Sequence, residues 1–425
     1  MQLNYSKALV QTSSLSPSPS PYNNNISTDN GTTTDDGDDK YVGRTGTLSG
    51  SPEELIVKKI KSRKDYLVSN NVSNIIDLDD TDNMWILPSG INFSVSFISR
   101  RNDLIRQCEA NQEELQVDEE LSVNGIILLD ADLISNIVKE DVYEEACNVV
   151  ESFFNKFSNT NNEPYLDYIF NFCMYMTKGK FEDAENYINS SSLPYYIKSI
   201  LFSLKFRYSK CYSTDLVNES TAVKDSIVPL LDSYFPNTKK ITRKRSIDMD
   251  PSLSKHVRKA DFSIVSNSSN HLILALETKS IKSQNKSAND LTNMARYMKD
   301  TIDDIESDGF KTVSIIGIIA SGNTISTYIM THSHDYLYYF YKLAKNYIAT
   351  DYHDMCRIIP IFSVFDQLKN IVTETSNILS TLPHNRTTEN NLKKLKTYRT
   401  PKERIKRVNL NTDDARRTKR RLHFD

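Results

Sequence analysis

The C-terminal half of this 425-residue chain predicts an α/β domain built on a mixed sheet. Three stretches carry that expectation. "RKADFSIVSNSSNHLILALETKS" (258–280) reads as two short strands joined by a turn of turn-forming residues, Ser266 to Asn270. "ANDLTNMARYMKDTIDDIES" (288–307) places Leu291, Met294, Ala295, Met298, Ile302 and Ile305 on one helical face, and Asp308-Gly309 ends it. "TVSIIGIIA" (312–320) is apolar enough to be a strand buried on both faces.

The remaining elements follow in order. Residues 1–50 hold "SPSPSP" and "TDDGDD", with almost no apolar spacing, and predict a disordered segment. Residues 51–215 form a mixed, mostly helical region. Within it "PEELIVKKIKSRKDYLV" suits a short helix, and "WILPSGINFSVSFISRR" has strand-like alternation. From about 130 to 210, apolar residues recur at three- and four-residue spacing in helical segments. The domain itself is expected over 216–382. It opens with "NESTAVKDSIVPLLDSYF" (218–235), where Glu219, Val223, Ile227, Leu230, Leu231 and Tyr234 share a stripe interrupted by Pro229, which should kink the helix. After the strand pair, the helix and the buried strand, Gly322-Asn323 is a turn and "TISTYIMTH" (324–332) a partner strand. "DYLYYFYKLAKNYIA" and "FSVFDQLKNIVTETSNILSTL" read as closing helices. The tail, 383–425, is basic and is expected to lack stable structure from about 385 onward.

Composition bounds the function. The net charge of −3 conceals an asymmetry: residues 390–425 carry thirteen Lys and Arg against four Asp and Glu. An acidic body with a basic end suits nucleic acid or a nuclear import receptor, and hence a place in the nucleus, with the cytoplasm as the alternative. The apolar run 313–320 is far short of the ~20 residues a membrane helix needs. The N-terminus lacks the apolar core of a secretory signal. Five scattered cysteines without a C-x-x-C pair point to a reduced intracellular compartment and away from a zinc ribbon.

The strand pair raises the question of chemistry. Asp261 heads one strand, while Glu277 and Lys279 end the other on a shared face. If Asp261 lies opposite Glu277, the two β-carbons are roughly 5 Å apart. Two carboxylates so placed repel, and a hard divalent cation between them relieves the repulsion. A lysine on the same face can reach water or phosphate held by that ion.

Asp261, then Glu277-Thr278-Lys279 on the next strand, then an amphipathic helix, resembles the PD-(D/E)XK nuclease superfamily. "NES" before a long helix, "RKADF", "LETKS" and "MARYMKD" resemble more narrowly a group of fungal proteins with this core. The resemblance covers about 216–370. It implies a restriction-endonuclease-like, four-stranded mixed sheet flanked by helices, and cleavage of phosphodiester bonds in DNA or RNA, DNA being favoured. Asp261 and Glu277 would hold Mg²⁺ or Mn²⁺, Lys279 would activate water or stabilise the phosphorane charge, and Glu219 would be the helix-borne acid. Ala260 stands where the motif has proline; that proline is not a ligand.

Each residue has a plainer reading beside this one. Asp261 could pair with Arg258 or Lys259, and Glu277 with Lys279 could be a solvated strand end. Lys286, Arg296 and Lys299 could contact phosphate or could be exposed helix charges. His332 and His334, an H-x-H on a strand, could hold a metal, but a surface pair is the expected reading. Cys211 and Cys356 read as packing residues, and Trp85 as core. The rival to a nuclease is a non-catalytic nucleic-acid-binding or interaction protein on the same fold.

Overall fold

The computed structural model describes residues 75–110, 116–133, 135–158, 163–210, 219–245, 260–279, 287–310, 312–349, 351–381 and 395–396. The chain divides into units 1–51 and 52–425, and every described residue lies in the second. The segment 1–50, the helix expected in "PEELIVKKIKSRKDYLV", and most of the basic tail lie outside the described residues.

The helices are α1 (Phe93–Ala110), α2 (Val117–Val123), α3 (Glu140–Asn155), α4 (Glu163–Thr177), α5 (Phe181–Ser190), α6 (Tyr195–Lys210), α7 (Glu219–Tyr234), α8 (Ser287–Ser307) and α9 (Ile359–Ser380). The strands are β1 (Ile126–Leu129), β2 (Ile241–Arg245), β3 (Phe262–Ser266), β4 (Leu272–Lys279), β5 (Ser314–Ser321), β6 (Thr324–His334) and β7 (Leu337–Tyr347). They form one mixed sheet in the order β1-β7-β6-β5-β4-β3-β2. The β1–β7 and β4–β5 pairs are parallel and the other neighbours antiparallel. The fold is therefore α/β with helices against a mixed sheet, as expected, but the sheet has seven strands rather than four.

Two of the extra strands were hidden by burial. Leu337 to Tyr341 are all buried, because β7 lies between β6 and β1. An aromatic run buried on both faces shows no period of two, so "DYLYYFYKLAKNYIA" reads as a helix although Tyr and Phe favour strands. β1 is four apolar residues inside a helical region, and it ties that region to the sheet through its register with Tyr338–Tyr341. The opposite error occurs at α1. "INFSVSFISRR" alternates like a strand, yet Phe93, Phe97, Ile98, Leu104 and Ile105 are buried on a helical stripe. That stripe includes Arg101, fully buried, whose Nε donates to the Val123 carbonyl at 3.2 Å.

α8 buries Met294, Ala295, Met298, Ile302 and Ile305 and packs against β5 and β6. At Gly317 of β5 the methionines of this helix lie directly against the strand backbone. A β-carbon there would sit 2.6 Å from Met298 Sδ and 2.9 Å from Met294 Cγ. Gly317→Ala is expected to destabilise by about 1–3 kcal/mol, since both methionines must move out of a packed layer. A urea-melt midpoint equal to that of the wild type would contradict this. No helix among the described residues is long and apolar enough to cross a membrane.

Part of the tail is fastened to the fold. Asp335, in the β6–β7 turn, accepts the backbone N–H groups of Asp82 and Asn83 on Oδ2 at 3.0 Å, and that of Lys396 on Oδ1 at 2.9 Å. Tyr336 next to it takes φ +59°, a left-handed conformation costly for a bulky residue, and donates its N–H to the Lys396 carbonyl at 2.8 Å. Residues 395–396 are thus a docked exception to the unstructured tail expected from charge density.

Candidate active site

β3 and β4 form an antiparallel pair in which Phe262 lies opposite Leu276. The pairing ends there, and Asp261, one residue outside β3, donates its N–H to the Leu276 carbonyl at 3.0 Å rather than to that of Glu277. β4 then runs parallel to β5, with Glu277 beside Ile319 and Lys279 beside Ser321. The leucine-rich body of β4 is buried, so its charged end emerges from a rigid strand. α7, which begins at Glu219, packs against β4 through the half carrying the buried Ile227, Leu230, Leu231 and Tyr234. The side chains of Glu219 and Lys279 are not among those described.

The Asp261 carboxylate has a partner that sequence reasoning missed. Its Oδ2 accepts both the backbone N–H of Thr278, at 2.8 Å, and the Thr278 hydroxyl. Thr278 alternates with Glu277 and Lys279 and so projects from the other face of β4. A carboxylate offers about four acceptor positions, so two donors leave capacity for a cation. The Thr278 hydroxyl draws the Asp261 carboxylate toward the face of β4 opposite Glu277, so the shared face expected for the two acids is not the one this side chain adopts. Among the described residues, no three His, Cys, Asp or Glu side chains gather as a metal cluster.

The helix charges expected at phosphate fall elsewhere. Lys286 lies outside the described residues. Arg296 is ion-paired with Glu120 at 2.8 Å, which links α8 to α2. Lys299 is fully buried: it pairs with Asp303 at 2.7 Å and lies 4.5 Å above the Tyr338 ring. The reading of Lys299 as a phosphate contact is corrected on that ground, because its ammonium faces the sheet.

His332 and His334 are also not a surface pair. His332 is fully buried, stacked on Tyr338 at 4.3 Å, with Nδ1 3.0 Å from both carboxylate oxygens of Glu306. His334 stacks on the buried Trp85 and hydrogen-bonds Tyr339. Burial pulls the His334 pKa down to about 4; nearby Asp335 opposes the shift and His332 adds to it. An unfolded histidine titrates near ~6.5. Between those values the unfolded chain binds the proton first, so this contribution to stability is complete above about pH 6.5 and is lost as pH falls toward 4. Urea midpoints measured across that window should fall, and His334→Phe should flatten the dependence. An unchanged slope in the variant would overturn this.

A cavity of about 210 Å³ is lined by Thr312, Ser314, Thr331, Ser333, Lys156 and Glu374 among others. It opens at the start of β5, whereas Glu277 and Lys279 stand beside its end. Seven strand steps separate the two, roughly 23 Å.

Comparison with family models, with curated proteins and with solved structures found no match for the chain.

Proposed function

We propose that this protein is a divalent-metal-dependent nuclease of the PD-(D/E)XK type, acting on DNA in preference to RNA. The observation that carries the reading is an order of elements together with a register. α7, β2, β3, β4, α8 and β5 follow as helix, three antiparallel strands, helix, and a strand parallel to β4. Asp261 lies one residue beyond the Phe262–Leu276 pair, beside the end of β4 that carries Glu277, and Lys279 follows two residues on. In this reading the two acids hold Mg²⁺ or Mn²⁺, and the ion supplies a polarised water and charge neutralisation at phosphate. Lys279 donates to the water or to the non-bridging oxygens as negative charge builds. Glu219, the first residue of α7, would be the helix-borne acid in this reading. The basic tail would add nonspecific phosphate contacts or bind an import receptor and place the protein in the nucleus.

The Thr278–Asp261 contact favours a second reading, a non-catalytic nucleic-acid-binding or interaction protein on this fold, with Asp261 as a strap between β3 and β4. Calorimetric titration of Mn²⁺ separates the two. The nuclease reading expects one site, lost in Glu277→Gln. The strap reading expects no site, and a loss of stability in Thr278→Val. Fusing 390–425 to a cytosolic reporter tests the tail, and an evenly spread reporter would remove the import role.

A further inference from the structure

The turn that fastens residues 395–396 is built as a receptor. Asp335 is 3 % exposed and lies between β6 and β7. From the body side, its N–H donates to the Asn83 carbonyl and its Oδ2 accepts the N–H groups of Asp82 and Asn83. Those bonds fix the carboxylate, and its Oδ1 accepts the Lys396 N–H at 2.9 Å. Tyr336 returns a bond from its own N–H to the Lys396 carbonyl at 2.8 Å. One tail residue thus has both main-chain groups engaged, as an added strand would. The left-handed backbone of Tyr336, at φ +59°, must be held by its surroundings, and it falls at the residue that meets the tail.

Charge adds to the main-chain contacts. Lys396 Nζ lies 3.9 Å from Asp82 Oδ2. Asp77 and Asp79, just before Asp82 in the chain, are exposed, and Lys396 is flanked in sequence by Lys393, Lys394 and Arg399. Opposite signs therefore meet at the contact. The notch stands at the far end of the sheet from the strand-end acids. β6 finishes beside the start of β5, where Ser314 pairs with Thr331, whereas Glu277 lies beside Ile319.

We propose that Asp82, Asn83, Asp335 and Tyr336 form a docking notch for an extended basic peptide, that Lys396 of the chain's own tail occupies it, and that docking withholds the basic residues around Lys396 from nucleic acid. The last part rests on the reading of the tail as a source of phosphate contacts. The notch offers carboxylates where nucleic acid offers phosphates, so the two compete for the same cations. Nucleic acid must free this part of the tail before using it, and its apparent affinity falls by the fraction of molecules in which the tail is free.

The test uses the full chain and two tail variants that leave every residue of the body unchanged. Lys396→Pro deletes the N–H that Asp335 accepts. Lys406→Pro removes the same charge ten residues further on. Without nucleic acid, the Tyr336 amide should exchange its hydrogen slowly in the wild type and in Lys406→Pro, and about tenfold faster or more in Lys396→Pro. A short fluorescent DNA oligonucleotide should then bind Lys396→Pro roughly threefold to tenfold more tightly than the wild type, although the variant has one charge fewer. Lys406→Pro should bind it more weakly. Equal Tyr336 exchange in the wild type and Lys396→Pro would overturn the docking. Protection that fades on dilution would give the notch to the tail of a second copy and overturn the assignment to the chain's own. Slow exchange with equally weakened binding in both variants would overturn the withholding alone. No binding of the oligonucleotide by any of the three would remove the tail's phosphate contacts and the withholding with them, and leave the docking to stand on the exchange.

Discussion

Asp303→Ala is expected to cost the fold about 3–5 kcal/mol, measured as a loss of unfolding free energy in urea. Lys299 has no exposed surface, and its ammonium lies 2.7 Å from Asp303 one turn along α8. The same carboxylate accepts the hydroxyl of Tyr338, reaching from β7. Removing it takes the carboxylate from a buried cation and the acceptor from a buried phenol, and neither gains water in exchange. Burial and the Asp303 charge already hold the Tyr338 hydroxyl far above its usual range. The double variant Lys299→Met/Asp303→Leu should recover much of the loss, since a buried ion pair is often replaced by apolar side chains at little cost. A loss below about 1 kcal/mol in Asp303→Ala would show that the network is not a structural tie. Lys299→Met should also leave the salt dependence of nucleic-acid binding unchanged, because that ammonium cannot reach a phosphate.

The second large effect belongs to the strand-end residues. In the nuclease reading, Asp261→Ala and Glu277→Ala should each abolish metal-dependent cleavage, as each would remove one of two hard donors. Lys279→Ala should spare Mn²⁺ binding and lower the cleavage rate on the order of a hundredfold or more, the usual consequence of losing one preorganised charge-stabilising group. Asp261→Ala also removes the two bonds to Thr278, so its circular dichroism and melting point need comparison with Glu277→Ala. Full activity in Lys279→Ala would remove it from the mechanism.

What could be read from sequence followed the clarity of each local pattern. β3, β4 and their turn were visible because alternation, turn formers and terminal charges coincide within twenty-three residues. The turn closes as read, with Asn270 at φ +60°, a conformation asparagine tolerates. α8 was visible because its apolar face is unbroken. α1 was not, because Arg101, Asn102 and Ser94 are buried within its inward stripe and blur the helical period. β7 and β1 failed for the opposite reason, since apolar residues on both faces leave no period to detect. At the site, setting Asp261 beside the end of β4 needed only the pairing of β3 with β4. The bond to Thr278 depends on how the Asp261 side chain turns, and sequence carries no signal for that. Lys299 was misplaced because its partner Tyr338 arrives from a strand read as a helix.

Incubation of the purified full-length protein with supercoiled plasmid, single-stranded DNA and RNA, each with Mg²⁺, Mn²⁺ or EDTA, tests the central claim most directly. The nuclease reading predicts cleavage that requires the metal, stops with EDTA, and disappears in Glu277→Ala. Absence of cleavage of all three substrates under both metals would contradict it, as would cleavage that Glu277→Ala leaves intact.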